Sequence, residues 1–101
     1  MRDVSLSSDL NNPSVVPYFL WDDPMSVTEL RNRLAHADAT ERFRILGKIM
    51  REARDTEVWL FTTPEEVARN WDSIRPYLGR RRRFWKFLLG QWRHEGLIDK
   101  Q

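Results

Sequence analysis

The stretch DATERFRILGKIMREAR, residues 38–54, carries the strongest secondary-structure signal in the chain. Asp38 stands in the position of a helix N-cap, and Glu41 follows three residues later, which is the spacing of a capping box. The apolar residues behind it recur at helical spacing and share one face: Phe43, Leu46, Ile49, Met50 and Ala53. We therefore predict an amphipathic helix over residues 39–54.

Two more segments begin with residues that are typical of helix starts. Residues 26–36 open with Ser26, which has a glutamate three positions later and a narrow apolar stripe behind it. Residues 63–75 open with Thr63, followed by Pro64 at the first helical position, where proline removes no intrahelical hydrogen bond. Both patterns predict helices.

A fourth helix is predicted over residues 80–95, with Gly96 as its stop. One broad face of this helix is apolar: Phe84, Trp85, Leu88, Leu89 and Trp92. No alternating strand pattern competes with the four helices, so the expected fold class is all-α, a compact bundle of about four short helices. Residues 1–14 lack apolar periodicity and are predicted to be a flexible tail, which leaves residues 15–101 as a single helical domain.

The segment VVPYFLWDDP, residues 15–24, is predicted to be extended or turned, because its two prolines disfavour a long helix. Its apolar side chains are expected on the core, with an exposed aromatic patch for a partner as the alternative: Tyr18, Phe19, Leu20 and Trp21. Residues 55–61, DTEVWLF, are predicted to form a turn or short helix on the core. Four indoles are expected to be mostly buried: Trp59, Trp71, Trp85 and Trp92.

The composition limits the kinds of function that we expect. The chain has 101 residues and no cysteine, which excludes disulfides, thiolate metal ligands and a cysteine nucleophile. It has no signal-peptide core and no apolar run of membrane-spanning length, so we expect a cytoplasmic protein with no membrane partner. His36, His94 and the Asp22–Asp23 pair lack further ligands or a nucleophile, so the sequence predicts no cofactor, no metal site and no enzyme activity.

Charge is unevenly distributed along the chain. The net charge is +2, yet residues 79–101 carry 7 basic and 2 acidic side chains, while residues 1–78 carry 10 basic and 13 acidic ones. Four arginines, Arg80–Arg83, stand together at the predicted start of the last helix. A helix N-terminus already carries roughly half a positive charge, so cations there are unfavourable unless an anion compensates them. The run therefore indicates a binding site, with a solvated helix end as the alternative.

Other residues of the last helix extend this predicted site. Phe87 falls opposite the apolar face, on the same side as Arg83 and His94, where it suits a protein interface or stacking on a base. Arg81 falls within the apolar arc, so its stem is expected to pack there. The predicted partner- or phosphate-binding residues are Arg80, Arg81, Arg82, Arg83, Lys86, Phe87 and Arg93.

The order of the last two helices favours one further class of protein. A capped helix over residues 63–75, a turn through Pro76 and Gly79, and a basic helix are similar to a helix-turn-helix nucleic-acid reader. In the basic helix, Gln91 is the one side chain of the kinds that usually contact base edges, and it lies well past the first turns. Phosphate contact is therefore better supported than sequence reading.

Two motifs support a more specific hypothesis. PYFLWDD at residues 17–23 and ILGKIMREARDTEVWLFTTPEEV at residues 45–67 resemble a family of small bacterial proteins that are often encoded beside nucleotidyltransferases of the AbiEii toxin type. The resemblance covers residues 17–92, and the four-arginine run departs from the family pattern. It implies an antitoxin-like or accessory protein and carries no catalytic residues across.

Together, these features predict a non-catalytic protein-interaction module. We expect it to bind an acidic protein, a nucleotidyltransferase toxin, through its basic C-terminal helix. A nucleotidyltransferase holds metal and triphosphate with clustered carboxylates, and a basic aromatic helix suits such an acidic pocket. The alternative is a helix-turn-helix-like nucleic-acid-binding protein that acts as a transcriptional autoregulator.

Overall fold

The computed structural model describes residues 6–98 of the chain, which divides into two compact units, Met1–Asp38 and Ala39–Gln101. The predicted single domain, residues 15–101, thus spans parts of both units. Helices dominate the structure, so the helical class is confirmed. The finer prediction, an all-α bundle of about four helices, is wrong, because a two-stranded parallel sheet is present and the helical residues are divided among more and shorter elements. Among the residues described, no helix has the length and apolar character needed to cross a bilayer.

Within residues 6–38, the first unit contains one short sheet, one 3₁₀ turn and one α-helix. Strand β1 (Leu6–Ser7) pairs in parallel with strand β2 (Val16–Pro17), and helix α1 spans Val27–His36. Ser26 caps α1 as predicted, because its hydroxyl accepts a hydrogen bond of 3.1 Å from the Glu29 amide. Most apolar side chains of this unit are buried: Leu10, Phe19, Leu20, Met25, Val27, Leu30 and Leu34.

The segment before α1 differs from its prediction in two places. Residues 6–14, assigned to the flexible tail, include strand β1 and the buried side chain of Leu10, while residues 1–5 of that tail lie outside the described part of the chain. Trp21, expected on the core, is 63% exposed. A 3₁₀ turn at Tyr18–Leu20 buries its last two side chains and leaves the next one outside, because consecutive residues of such a turn project in different directions.

The second unit contains the remaining helices, which are α2 (Ala39–Glu52), α3 (Pro64–Arg69), α4 (Trp71–Ile74) and α5 (Arg82–His94). Three 3₁₀ turns lie between them, at Asp55–Leu60, Arg75–Tyr77 and Gly79–Arg81. The single helix predicted over residues 63–75 is split at Asn70, whose side-chain amide donates a hydrogen bond of 2.9 Å to the Glu66 carbonyl. Side chains of this kind compete with the backbone for hydrogen bonds and favour helix ends over helix interiors.

Helix α5 differs from its prediction at the start and agrees with it at the end. It begins at Arg82, because Arg80 and Arg81 belong to the preceding 3₁₀ turn. At the C-terminal end, Gly96 has a positive φ of 75°, which glycine adopts without strain. The Leu97 amide then donates to the Trp92 carbonyl at 2.9 Å, which completes the hydrogen-bond pattern of a glycine-terminated helix.

Tryptophans form the centre of the second unit. Trp85 is fully buried, and its indole N–H donates a hydrogen bond of 2.9 Å to the Met50 carbonyl of α2. Trp59 packs edge-on against Trp85, with ring centroids 5.6 Å apart, and lies 5.5 Å from the ring of Trp92. The predicted burial is complete for Trp85, whereas Trp59, Trp71 and Trp92 are partly exposed. This cluster positions the inner face of α5 and thereby fixes which of its side chains reach solvent.

Candidate functional site

The four consecutive arginines do not form one surface. Arg80 and Arg81 lie in the 3₁₀ turn, Arg82 and Arg83 begin α5, and successive residues of a helix project about 100° apart. Arg80, Arg82 and Arg83 are exposed, whereas Arg81 is half-buried. The four arginines therefore differ in exposure and in surroundings.

Arg81 is held inside the second unit. Its guanidinium donates a hydrogen bond of 2.9 Å to the Ala53 carbonyl, and it lies over the ring of Phe84 at 4.9 Å and near that of Trp85 at 5.6 Å. The side chain of Arg81 thus lies against the apolar face of α5, as its helical position predicts. Phe84, which was expected in the core, is 38% exposed, because its ring lies at the edge of the core with this guanidinium over it.

Arg93 is also turned towards the second unit. It is half-buried, and its Nη2 donates a long hydrogen bond of 3.5 Å to the Ala68 carbonyl of α3. Its Nε is buried and has no hydrogen-bond partner among residues 6–98. Arg81 and Arg93 belong to the predicted site, yet both are directed to backbone carbonyls of their own unit.

Two other cations of α5 line a pocket of about 200 Å³, here called the basic pocket, which is formed by Trp71, Arg75, Arg82 and Lys86. Arg82 and Lys86 stand one turn apart on α5, and Trp71 and Arg75 have the same spacing on α4 and the turn that follows it. Residues four apart on a helix share a face, so each pair forms one wall. Trp71 and Arg75 were not among the predicted site residues: their four-residue spacing is visible in the sequence, but their position beside α5 is not.

The basic pocket carries an excess of positive charge. Arg75 Nε lies 3.6 Å from Asp72 Oδ1 in an exposed ion pair. Arg82 and Lys86 make no hydrogen bond or ion pair with any other side chain in residues 6–98. Like charges one turn apart destabilise a helix by about 0.2–0.5 kcal/mol. The first turn of α5 adds no acidic side chain and no side-chain cap that would compensate these charges.

A second surface lies on a different side of α5 from the basic pocket. It consists of Arg83, Phe87 and His94, which follow one another at intervals of one and two helical turns, and it is here called the outer face. Phe87 is 68% exposed, and its ring makes no aromatic or cation–π pair with the residues described. Gly90 lies between Phe87 and His94 and leaves the ring accessible from that side.

No group of three or more His, Asp or Glu side chains that could hold a metal ion occurs within residues 6–98. Comparison with protein-family models, with curated proteins and with solved structures gives no match. The resemblance to proteins encoded beside nucleotidyltransferases therefore stays a prediction. What the structure adds is the separation of two exposed surfaces on α5, the basic pocket and the outer face.

Proposed function

We propose that this chain is a non-catalytic protein-interaction module that binds an acidic protein partner through the outer face of α5. The observation that supports this proposal best is the exposure of Phe87, which is 68% accessible between two basic residues, Arg83 and His94. Neither of these residues pairs with an acidic side chain in the described part of the chain. The surface thus combines an aromatic anchor with one uncompensated cation, Arg83, and an imidazole.

This combination has the chemistry of a protein interface. Aromatic residues and arginine are enriched where protein surfaces meet, and a few such anchors carry most of the binding energy. Complete burial of a phenylalanine against a partner is worth about 1.5–3 kcal/mol. Arginine adds bidentate hydrogen bonds to carboxylates, and the complementary charges speed association.

The partner that fits both the outer face and the family resemblance is a nucleotidyltransferase. Such an enzyme holds metal and triphosphate with clustered carboxylates, so its active site is acidic. A helix that presents a phenylalanine between an arginine and a histidine would cover such a pocket and block access of the substrate. The chain then acts as an antitoxin-like partner.

The experiment is a calorimetric titration of the full chain with a purified nucleotidyltransferase of the AbiEii toxin type. Phe87→Ser is expected to weaken binding by about tenfold or more, as the loss of an interface anchor does, and Arg83→Gln should weaken it most at low salt. The matched controls are Leu6→Ser, which removes another exposed apolar side chain, and Arg33→Gln, which removes another exposed arginine. The proposal fails if the enzyme does not bind, or if the controls weaken binding as much as the outer-face variants do.

A nucleic-acid-binding function is the second candidate, because Arg82, Arg83 and Lys86 are all exposed in the first turns of α5. Residues 75–81, seven in number, separate α4 from α5, however, and a helix-turn-helix joins its helices by three or four residues. Titration of mixed-sequence duplex DNA over a range of salt concentrations tests this function. A reader of phosphates would show a slope of log affinity against log salt of about −0.9 for each phosphate contacted.

A further inference from the structure

The basic pocket lies on a different side of α5 from the outer face, because Arg82 and Lys86 each precede an outer-face residue by one position, or about 100°. We propose that this pocket binds a nucleotide. The phosphate lies between Arg75, Arg82 and Lys86, and the base lies against the indole of Trp71. This site does not depend on the proposed protein partner, since it uses none of the outer-face residues.

The charge of the pocket fits a phosphate monoester. Three cations line it, and Asp72 partly neutralises one of them through its ion pair with Arg75 at 3.6 Å. At least two positive charges thus remain uncompensated. A phosphate monoester carries about −1.5 to −2 at pH 7, which matches that excess, whereas a single carboxylate balances only half of it.

The arrangement of donors points to the same ligand. Arg82 and Lys86 approach from α5, and Arg75 approaches from the turn after α4. A phosphate presents three terminal oxygens in different directions, so it can accept hydrogen bonds from both walls at once. A carboxylate presents two oxygens in one plane and is satisfied by one arginine fork. Donors on two walls therefore favour the tetrahedral anion.

Trp71 gives the pocket an aromatic wall. It lines the pocket, is only half-buried, and makes no aromatic or cation–π pair with the residues described, so the accessible part of its ring can contact a base. The volume, about 200 Å³, is smaller than the roughly 300–1,000 Å³ of pockets that enclose whole ligands. The pocket therefore accommodates one phosphate and the face of one base, which is a single nucleotide unit, either free or within a single strand.

The test follows the indole N–H signal of Trp71 in the ¹⁵N-labelled full chain, assigned by its loss in Trp71→Phe. AMP is expected to shift this signal saturably. Ribose 5-phosphate, which lacks the base, should bind about 5- to 150-fold more weakly, as the loss of one stacking contact predicts. Adenosine, which lacks the phosphate, should bind at least about tenfold more weakly. Absence of a saturable shift at millimolar AMP would overturn the proposal.

Two double variants separate the pocket from general charge. Arg82→Gln with Lys86→Gln is expected to reduce AMP affinity by about tenfold or more, because charge-assisted hydrogen bonds are lost. Arg80→Gln with Arg83→Gln removes the same two charges from neighbouring positions outside the pocket and should change affinity less than twofold. An equal loss in both variants would mean that no specific site exists. All four side chains are exposed, so both variants are expected to fold, which the dispersion of the amide signals verifies.

Three further titrations identify the source of the nucleotide and separate this site from the proposed partner site. A single-stranded hexanucleotide that binds more tightly than AMP assigns the pocket to a nucleic-acid strand, and equal affinity assigns it to a free nucleotide. A hexaglutamate peptide that competes as well as AMP would overturn the proposal in favour of an acidic protein. Phe87→Ser, which disrupts the outer face, is expected to leave AMP binding unchanged.

Discussion

The guanidinium of Arg81 donates a hydrogen bond of 2.9 Å to the backbone carbonyl of Ala53, just beyond the C-terminal end of α2. Three residues earlier, the carbonyl of Met50 accepts a hydrogen bond of 2.9 Å from the indole of Trp85. The last carbonyls of a helix have no intrahelical partner and need donors from elsewhere. The turn at Gly79–Arg81 and the first turn of α5 supply one such donor each, Arg81 and Trp85, so the second arginine of the basic run belongs to the fold.

Arg81→Gln is expected to lower the free energy of unfolding by about 1–2 kcal/mol, since a charged hydrogen bond and the cation–π contact with Phe84 are lost at a partly exposed position. Arg80→Gln, Arg82→Gln and Arg83→Gln remove the same charge from exposed positions and should stay within about 0.5 kcal/mol of the wild type. Urea unfolding of the four single variants measures this difference. A loss for Arg81→Gln that is no larger than in the other three would contradict a structural role.

Trp85→Phe should cost about 1–3 kcal/mol, because the buried carbonyl of Met50 loses its hydrogen-bond donor. Trp85→Ala removes most of the ring cluster with Trp59 and should cost about 3–5 kcal/mol. Urea unfolding, together with near-ultraviolet circular dichroism of the tryptophan cluster, measures both changes. Trp21→Phe is the control, since the 63% exposed indole of Trp21 should tolerate replacement with little change.

The parts of the fold that the sequence predicts well depend on short-range hydrogen bonds. The hydroxyl of Ser26 accepts a hydrogen bond from the Glu29 amide, and the hydroxyl of Thr63 accepts one from the Glu66 amide, each at 3.1 Å. In both cases, the sequence shows the N-cap residue and the glutamate three positions later. The glycine stop at Gly96 was visible for the same reason. In each case, the partners lie three to five residues apart, so the sequence contains the whole interaction.

The features that escaped prediction depend on residues far apart in the chain. The acceptor of Arg81 is 28 residues away, so the helical position of this arginine indicates packing but not the hydrogen bond. The basic pocket forms because the short α4 and α5 place two pairs of side chains together, and nothing local indicates their relative register. The sequence predicted Arg82 and Lys86 as binding residues, and that remains a prediction, but it contained no signal that would place Trp71 and Arg75 beside them.

Leu10→Ala is expected to lower the free energy of unfolding by about 2–3 kcal/mol, although residues 1–14 have the composition of a flexible tail. Leu10 is only 4% exposed, and the neighbouring Pro13 carbonyl accepts a hydrogen bond of 3.0 Å from the Thr28 hydroxyl of α1. Leu6→Ala is the matched control, because Leu6 is 42% exposed and should cost less than about 1 kcal/mol. Thermal unfolding that is equal for the two variants would mean that Leu10 contributes no burial.

Gly47→Ala is expected to destabilise the protein by about 1–3 kcal/mol, as overpacking of a close contact does. A Cβ atom at this position would lie well under 3.0 Å from the Cβ of Tyr77, so the turn at Arg75–Tyr77 would have to move. Gly90→Ala is the control in another helix, because its added Cβ would meet no atom within 4 Å apart from its chain neighbours and the backbone of its own helix. Alanine has the higher helix propensity, so Gly90→Ala should stabilise the protein by up to about 1 kcal/mol. Opposite signs in thermal unfolding would confirm the close approach at Gly47.

Glu66 links α2 to α3, and its titration should be visible in the acid stability of the protein. Its carboxylate accepts hydrogen bonds from the Thr62 hydroxyl and from the guanidinium of Arg42, which also forms an ion pair with it. Burial raises the pKa of Glu66, but the hydrogen bonds from Thr62 and Arg42 and the charges of Arg42 and Arg69 outweigh burial, so the pKa lies below its usual value of 4.5.

Because the pKa of Glu66 is lower in the folded than in the unfolded state, its contribution to stability is present above pH 4.5 and is lost as the pH falls through the folded-state pKa. Glu66→Gln should therefore be less stable than the wild type at pH 7, and the difference should shrink below pH 4.5. Glu65→Gln removes an exposed carboxylate from the same turn, and its free energy of unfolding should fall with decreasing pH as that of the wild type does. Urea unfolding of the three proteins between about pH 3 and pH 7 measures how the free energy of unfolding depends on pH. A difference between wild type and Glu66→Gln that grows on acidification would reverse the assigned sign and exclude a stabilising ion pair with Arg42.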